Sequence, residues 1–243
     1  MREPRIHVDT ALSSGAELAL PAAAAAHVQR VLRLRAGAAL ILFDGRGGEF
    51  RSELVRSERA QTLVRIGERL AVERESPLHI TLLQGVSRGE RMDHIVQKAT
   101  ELGVARIVPV LTEFSVVRLD TEQAARRREH WQAIVIAACE QCGRNRVPAV
   151  DSPMKLTAAL AALPAGTLRL TLEPGAATSL AGTPRGESMA LLIGPEGGLS
   201  PVEIGQAAAS GFVGRSLGPR ILRTETAPLV ALSVLQALAG DLA

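Results

Sequence analysis

Two short segments combine glycine, proline and charged residues in a way that is typical of ligand-binding loops. The first, Leu-Leu-Ile-Gly-Pro-Glu-Gly-Gly-Leu-Ser at 191–200, leaves an apolar run and passes three glycines within five residues. Glycine permits positive φ angles and close approach of a ligand to the backbone, and a helix that follows offers free N–H donors. From the residues alone, both a tight turn and a ligand-binding loop remain open. Neither a P-loop nor the dinucleotide fingerprint G-x-G-x-x-G is present in the sequence.

The second segment, Leu-Gly-Pro-Arg-Ile-Leu-Arg-Thr-Glu-Thr-Ala-Pro at 217–228, mixes large aliphatic and charged side chains. A loop seldom exposes aliphatic side chains such as Ile221 and Leu222 unless something covers them. The sequence therefore predicts that a ligand or a partner subunit covers this loop.

Strands that alternate with amphipathic helices predict the scaffold that positions both segments. We expect strands at 79–86, 106–111, 167–172, 189–193 and 213–217, and helices at 88–102, 121–143, 155–163, 201–210 and from about 225. Two Ser-x-x-Glu sequences, beginning at Ser87 and Ser200, predict capping boxes at helix starts. This order indicates an α/β domain with a mainly parallel sheet. Ligands bind such sheets at the carboxyl ends of strands, so the loops after 172, 193 and 217 are the candidates.

The first part of the chain has a different pattern. Short apolar or alternating runs at 38–44, 49–56 and 61–66, with a helix at 21–35, predict a small β-barrel. A polar stretch that ends at Pro77 follows. We therefore expect two domains, residues 1–73 and 74–243.

Composition and charge restrict the class of protein. The chain has 243 residues, of which 47% are apolar and 22% charged, as expected of a compact soluble protein. Neither a membrane-spanning run nor a signal peptide is recognisable, which predicts a cytoplasmic protein. The net charge of +3 arises within residues 1–72, and all basic residues except Lys98 and Lys155 are arginines, which suit phosphate.

Metal binding is not predicted. Cys139 and Cys142 are spaced as C-x-x-C, but no second Cys/His pair completes a zinc site, and the pair falls inside a predicted helix. The five histidines also lack metal-ligand spacing. We expect the two cysteines to be packing residues.

Three motifs in this order carry a family resemblance: the segments at 191–200 and 217–227, and Ala-Ala-Cys-Glu-Gln-Cys-Gly-Arg-Asn-Arg-Val-Pro at 137–148. Together they resemble the RsmE family of bacterial 16S ribosomal RNA uridine-N3 methyltransferases, in the SPOUT class, and the resemblance covers essentially the whole chain. It implies a PUA-like β-barrel, an α/β domain with a trefoil knot, S-adenosyl-L-methionine as methyl donor, the small ribosomal subunit as substrate, and a homodimer that completes each site.

The resemblance also implies roles for individual residues. The donor is expected at Leu172, Ile193, Gly194, Pro195, Glu196, Gly197, Gly198, Leu217, Gly218, Ile221, Leu222, Thr224 and Ala227. Methylation of uridine N3 requires loss of a weakly acidic proton, so the site needs a base or a cation, and Arg223 is the candidate cation. The sequence does not identify the base.

RNA contacts are expected from a second set of residues. Glu140 and Arg144, and likewise Gln141 and Asn145, are four residues apart on the long helix, and spacing alone leaves a surface ion pair open. The resemblance favours a catalytic role for Glu140 and Arg144. The predicted RNA-binding residues are Arg2, Arg5, Arg30, Arg33, Arg35, Arg88, Gln141 and Asn145.

The last helix predicts self-association. Its apolar residues occupy several faces, which a single sheet cannot cover: Leu229, Val230, Leu232, Val234, Leu235 and Leu238. Two other functions remain open at this point. One is a methyltransferase of the same class that acts on transfer RNA or a ribose 2′-hydroxyl, and the other is a non-catalytic RNA-binding ribosome-assembly protein.

Overall fold

The computed structural model describes residues 3–58, 61–115 and 119–242, and the chain divides into two compact units. The first unit contains Met1–Glu75 together with Cys139–Val147, and the second contains Ser76–Ala138 together with Pro148–Ala243. The first unit thus contains the range 1–73 and, in addition, a segment from the middle of the chain.

The first unit is built on one five-stranded sheet. Its strands are β1 (Arg5–His7), β2 (Glu17–Ala19), β3 (Ala39–Phe43), β4 (Glu49–Ser57) and β5 (Thr62–Leu70), in the order β1-β3-β4-β5-β2. The β1–β3 pair is parallel, whereas the other described pairs are antiparallel. Alternate residues of β5, such as Val64 and Ile66, are buried, as expected of a sheet with one face toward a core. Short β1 and β2 were not predicted, because three residues are too few to show alternation.

The predicted helix at 21–35 is shorter in the structure. It comprises α1 (Ala22–Ala26) and a π-helical turn (His27–Val31). Arg33 has a φ of 52°, which a right-handed helix cannot include. The helix therefore ends before the arginines at 33 and 35.

Buried arginines hold the segment Cys139–Val147 in the first unit. The Arg5 guanidinium pairs with the Glu49 carboxylate, lies 4.7 Å from the centre of the Phe43 ring, and donates a 2.7 Å hydrogen bond to Asn145 Oδ1. Arg144 pairs with Glu75 through bonds from Nε of 3.1 and 3.2 Å. Buried charges are tolerated only when they are paired and hydrogen-bonded, so this network fixes the segment in place.

The second unit is an α/β domain with a parallel sheet. Its strands are β6 (His79–Gly85), β7 (Arg106–Leu111), β8 (Ala149–Val150), β9 (Met154–Lys155), β10 (Leu168–Leu172), β11 (Ser188–Ile193) and β12 (Val213–Arg215). The order is β12-β10-β11-β6-β7-β8, with β9 also on β7, and every pair among the described strands is parallel. The predicted α/β class is confirmed.

Helices connect these strands. They are α2 (Glu90–Glu101), α3 (Thr121–Cys142), α4 (Leu156–Ala161), α5 (Pro201–Ala209) and α6 (Ala227–Ala239), with a 3₁₀ turn at Leu180–Gly182. Among the described residues, none of the helices has both the length and the apolar character that crossing a membrane requires.

One of the two predicted capping boxes is confirmed. The Ser200 hydroxyl accepts from the Glu203 amide, and the Glu203 carboxylate accepts from the Ser200 amide. The prediction at Ser87 is wrong, because α2 starts from Gly89 with a φ of 54° and without a side-chain cap. Ser87 Oγ lies instead 3.2 Å from Thr224 Oγ1, on a distant loop.

A buried amide joins the end of α6 to the end of α2. Gln236 Nε2 donates a 3.0 Å hydrogen bond to the Leu102 carbonyl, and its Oε1 accepts a 2.6 Å bond from Ser76 Oγ. A Cβ atom at Gly103 would lie 2.6 Å from the Gln236 side chain. This glycine is therefore required for the close packing as well as for its positive φ.

Candidate functional site

A cavity of about 470 Å³ opens in the second unit where β10 and β11 end. Small-molecule sites usually measure about 300–1,000 Å³ and lie beyond the carboxyl ends of parallel strands. Leu172 ends β10, Ile193 ends β11, and the segment after β12 forms the remaining wall. The cavity therefore has the size and the position of a ligand site in an α/β sheet.

The lining joins segments that are far apart in the sequence. It includes the predicted residues Leu172, Ile193, Gly194, Pro195, Glu196, Leu217, Gly218, Ile221, Leu222, Thr224 and Ala227, together with Arg223. It also includes residues that sequence reasoning did not single out: Arg91, Glu173, Pro174, Arg215, Arg220 and Glu225. Glu225 stands in the recognised motif, whereas nothing in the sequence marks Arg91.

Two predicted glycines do not line the cavity. A Cβ atom on Gly197 would lie 2.8 Å from Phe114 Cβ, so the absence of a side chain there serves packing against Phe114. Gly198 has a φ of 73°, which fits a turn that L-residues rarely adopt. The expectation that the donor lies against these two positions stays a prediction.

Buried polar side chains tie both loops to the end of β6. Thr224 Oγ1 donates a 3.0 Å hydrogen bond to the Gly194 carbonyl, and Gln84 Nε2 lies 3.4 Å from both Thr224 Oγ1 and the Gly194 oxygen. Ser87 Oγ completes the group beside Thr224. Sequence reasoning missed Gln84 and Ser87, although a glutamine near the end of an apolar strand was a visible signal. These contacts fix the position of the two loops relative to each other.

Glu196 is committed to an ion pair at the cavity mouth. Its Oε1 accepts a 2.8 Å hydrogen bond from an Arg91 terminal nitrogen and a 3.1 Å bond from the Arg88 amide. Partial burial would raise the pKa of Glu196. Hydrogen bonds from its own backbone amide, from the Arg91 guanidinium and from the Arg88 amide outweigh that effect and hold the pKa below its usual value. Glu196 is therefore a stable anion that fixes Arg91.

Glu225 lies between two arginines. One of its oxygens is 3.9 Å from Arg91 Nε, and the other is 4.0 Å from an Arg223 terminal nitrogen. The Glu225 side chain is 24% exposed, whereas that of Arg223 is 79% exposed. The mouth of the cavity thus presents a carboxylate with a cation on either side.

The helix-end residues that were predicted to face RNA belong to the first unit, and the cavity lining does not include them. Arg5, Arg144 and Asn145 are buried in the ion network, which corrects their assignment to an RNA-facing edge. Glu140 Oε1 accepts a 2.9 Å hydrogen bond from the His7 amide, so this carboxylate has a structural partner. Gln141 is exposed.

The other predicted RNA contacts are at the surface. Arg30, Arg33 and Arg35 are exposed in the first unit, and the Arg88 side chain is exposed in the second. Arg2 falls outside the described residues.

Metal and thiol chemistry receive no support from the described part of the chain. No group of three or more His, Cys, Asp or Glu residues there could hold a metal ion. Burial raises the pKa of the Cys139 thiol to about 12, against the opposing charge of Arg144. Cys139 Sγ lies 3.8 Å from the Arg146 carbonyl. A protonated, buried thiol of this kind is a packing group.

The chain is similar to known RNA methyltransferases in both of its parts. The RNA methyltransferase domain model matches residues 74–236, and the RNA methyltransferase PUA domain model matches residues 20–66. A ribosomal RNA small subunit methyltransferase E from Buchnera aphidicola is 33% identical over 99% of this chain and 98% of its own length. The chain belongs to this family of ribosomal RNA methyltransferases, and the resemblance found in the sequence is confirmed.

Two solved structures are similar over their whole length. A ribosomal RNA small subunit methyltransferase E from Neisseria gonorrhoeae, bound to S-adenosyl methionine, has a TM-score of 0.94 and 40% identity, with 100% of both chains covered. A methyltransferase from Legionella pneumophila, in complex with the same compound, has a TM-score of 0.95 and 44% identity, and 99% of this chain and 100% of that one are covered.

Proposed function

We propose that this protein transfers the methyl group of S-adenosyl-L-methionine to N3 of a specific uridine in the 16S RNA of the small ribosomal subunit. The observation that carries the proposal is the cavity at the ends of β10 and β11, in a chain whose similar structures from Neisseria gonorrhoeae and Legionella pneumophila contain S-adenosyl methionine. Since the substrate is ribosomal, the protein acts in the cytoplasm.

The residues of the cavity fit this donor. Leu172, Ile193 and Leu217 supply aliphatic surface for a purine ring, and the backbone at Gly194 and Gly218 offers polar groups for the adenine edge and the ribose. The donor carries its methyl group on a positively charged sulfonium. The sulfonium is already an activated leaving group, so the reaction needs no metal ion.

Arg223 is proposed to assist the removal of the N3 proton. Negative charge develops on the uracil oxygens as that proton leaves, and a cation aimed at those oxygens lowers the barrier. The Arg223 guanidinium is exposed and lies 4.0 Å from the Glu225 carboxylate, a distance that leaves it able to approach a base. Glu140 and Arg144 are given no catalytic role in this proposal, because both have partners within the first unit.

The two units are proposed to have different functions, RNA binding and methyl transfer. We assign RNA binding to a PUA-like domain over residues 1–73, mainly through phosphate contacts of Arg30, Arg33 and Arg35, and methyl transfer to residues 74–243. Arg88 and Gln141 are proposed as further RNA contacts. The match of the PUA domain model to residues 20–66 supports this division.

A trefoil knot and a homodimer complete the proposal. The close contacts between the 194–198 loop and the loop before α6, through Thr224 and Gly194, support a knotted arrangement of these segments. Exposed or half-buried apolar residues on α6, Val230 among them, support a subunit interface there. Light scattering at micromolar concentration should give the mass of two subunits.

A direct test combines binding and product analysis. Calorimetry should show binding of S-adenosyl-L-methionine, and tritium from the labelled donor should appear in 16S ribosomal RNA. Nucleoside analysis should identify N3-methyluridine, and a ribose-methylated or transfer-RNA product would overturn the proposal. Naked RNA and assembled small subunits, compared as acceptors, show which of them is the substrate.

A further inference from the structure

Three carboxylates line the described cavity, and they differ in what they already bind. Glu196 accepts hydrogen bonds from Arg91 and from the Arg88 amide. The Glu173 oxygens lie 3.0 and 3.1 Å from the position of a Cβ atom on Gly214, so Glu173 packs against β12. Glu225 alone among the three stands between two cations.

The contacts of Glu225 leave its oxygens available. Distances of 3.9 and 4.0 Å to Arg91 and Arg223 are charge contacts, longer than hydrogen bonds. Within the described residues, no hydrogen bond to the Glu225 carboxylate is formed. An ionised carboxylate is an acceptor only, so Glu225 is ready to receive an N–H group from a substrate.

The two arginines and the carboxylate at the cavity mouth are complementary to the imide edge of uracil. Arg91, Glu225 and Arg223 present a hydrogen-bond donor, an acceptor and a donor. The imide edge of uracil presents the complementary groups, because O4 is an acceptor, N3–H a donor and O2 an acceptor. The N3 atom of cytosine carries no hydrogen and would face the carboxylate with its lone pair. Arg91 is held by Glu196, so at least one of the two donors is fixed before the base arrives.

We infer that Glu225 receives the N3 proton of the target uridine, while Arg91 and Arg223 face the two carbonyl oxygens. This inference rests on the proposed uridine-N3 activity and deepens it, because it names the base and the determinant of uracil specificity. The sequence could not distinguish Glu225 from the other carboxylates of the motifs.

The proposed reaction transfers a proton from N3 to Glu225 and a methyl group from sulfur to N3. The N3–H bond breaks and its proton goes to the Glu225 carboxylate. The nitrogen electron pair forms the bond to the methyl carbon, and the methyl–sulfur bond breaks with its electrons remaining on sulfur, which becomes a neutral thioether. Glu225 then releases the proton to water through the open mouth of the cavity. Arg91 and Arg223 stabilise the charge on O2 and O4 during the transfer.

Glu225→Gln tests the proton transfer, with Glu129→Gln, an exposed site on α3, as the matched control. The amide keeps the size of the side chain but cannot accept the proton, so kcat should fall by about 10²–10⁴-fold. Calorimetric affinity for S-adenosyl-L-methionine should stay within about threefold of the unsubstituted protein. The control should match the unsubstituted protein in both measurements.

The pH profile separates a base from a merely structural group. Without Glu225, only uridine that has already lost its N3 proton reacts, so the variant's rate should rise about tenfold per pH unit below the pKa of that proton. The unsubstituted protein should show a much flatter profile over the same range. A target 5-fluorouridine, whose N3–H is more acidic, should restore much of the variant's rate.

The affinity for RNA can be measured at equilibrium, without turnover. The unsubstituted protein should bind target RNA that carries uridine more tightly than the same RNA with N3-methyluridine, which lacks the N–H donor. Glu225→Ala, which removes the acceptor, should narrow that difference, and Glu129→Ala should preserve it.

The possible failures can be distinguished. If the unsubstituted protein forms no N3-methyluridine, the proposed function itself fails. If it forms the product while Glu225→Gln keeps its kcat within about threefold or keeps a flat pH profile, or while Glu225→Ala keeps the full RNA discrimination, the inference about Glu225 is overturned. Loss of S-adenosyl-L-methionine binding in Glu225→Gln would overturn it as well, because Glu225 would then belong to the donor site.

Discussion

Arginine–carboxylate pairs occur in two regions of the molecule, and they have a structural role in one region and a proposed catalytic role in the other. In the first unit, the side chains of Arg5 and Glu49 are 3% and 4% exposed, and one terminal nitrogen of Arg5 donates hydrogen bonds to the Arg144 carbonyl and to Asn145 Oδ1. At the cavity mouth, Arg223 and Glu225 are 4.0 Å apart, and Arg223 is open to solvent whereas Glu225 is half-buried. The comparison shows that the same residue types stabilise a fold when they are buried and paired directly, and are available to a substrate when they are only in distant charge contact at a cavity.

Removal of one side chain of the buried Arg5–Glu49 pair should have the largest effect on stability. Glu49→Ala leaves Arg5 buried without its carboxylate, which should lower the free energy of unfolding of the first unit by about 3–5 kcal/mol. Denaturant unfolding, followed with a probe in that unit, measures the change. Glu53→Ala, at an exposed position on the same strand, should change it by less than about 0.5 kcal/mol. Equal losses in the two variants would contradict the structural role of the pair.

Removal of the exposed cation should affect the reaction but not the fold. Arg223→Ala should lower kcat by about 10²–10³-fold, because the lost donor acts on charge that develops only as the proton leaves. Affinity for S-adenosyl-L-methionine and unfolding should remain as in Arg127→Ala, a control on the exposed face of α3. Normal turnover of Arg223→Ala, or the complete loss of donor binding, would remove Arg223 from the proposed chemistry.

Gly197 tests whether the glycine loop is shaped by packing or by a ligand. In Gly197→Ala the new Cβ atom meets Phe114 Cβ at 2.8 Å, so the variant should lose about 1–3 kcal/mol of stability and bind the donor less tightly. Phe114→Gly removes the opposing atom and should restore binding in the double variant. Thermal unfolding and calorimetry on all three proteins measure both effects. Failure of the second substitution to restore binding would indicate direct contact of Gly197 with the donor.

Removal of the exposed ion pair between Glu196 and Arg91 should have the smallest effect on stability. Because the folded protein holds the Glu196 pKa below its unfolded value, the stabilisation is present above about pH 4.3 and disappears as the pH falls through the lowered pKa. Glu196→Gln should therefore cost no more than about 1 kcal/mol at pH 7. The difference from the unsubstituted protein should vanish once the pH has fallen below the lowered pKa of Glu196, and an equal difference there and at pH 7 would show that the ion pair is not its cause.

Local signals in the sequence predicted most of the second unit. The alternation of strands and helices identified the parallel sheet, and the capping box at Ser200 is complete within four residues, so no distant group was needed to find it. The same pattern failed at Ser87, because Thr224, far away in the sequence, lies beside the hydroxyl that would have capped α2. Helix caps can be predicted only where tertiary contacts do not compete for them.

The site was predicted less completely, for a related reason. Leu172 and Thr224 were predicted from the family resemblance, and they line the cavity. Burial was not visible in the sequence, so Arg5 and Asn145 were predicted to face RNA although both are enclosed. Arg91 was missed because its importance depends on Glu196 and Glu225, which only the folded chain brings near it.

The inclusion of Cys139–Val147 in the first unit sets the order in which a nascent chain can mature. When synthesis has passed residue 75, every strand of the five-stranded sheet exists, but Arg5 still lacks Asn145 and the Arg144 carbonyl. At about 5–20 residues per second, the missing segment follows roughly 4–15 s later. The amino-terminal unit is therefore the first to begin synthesis, yet it can close only after more than half of the polypeptide has left the ribosome.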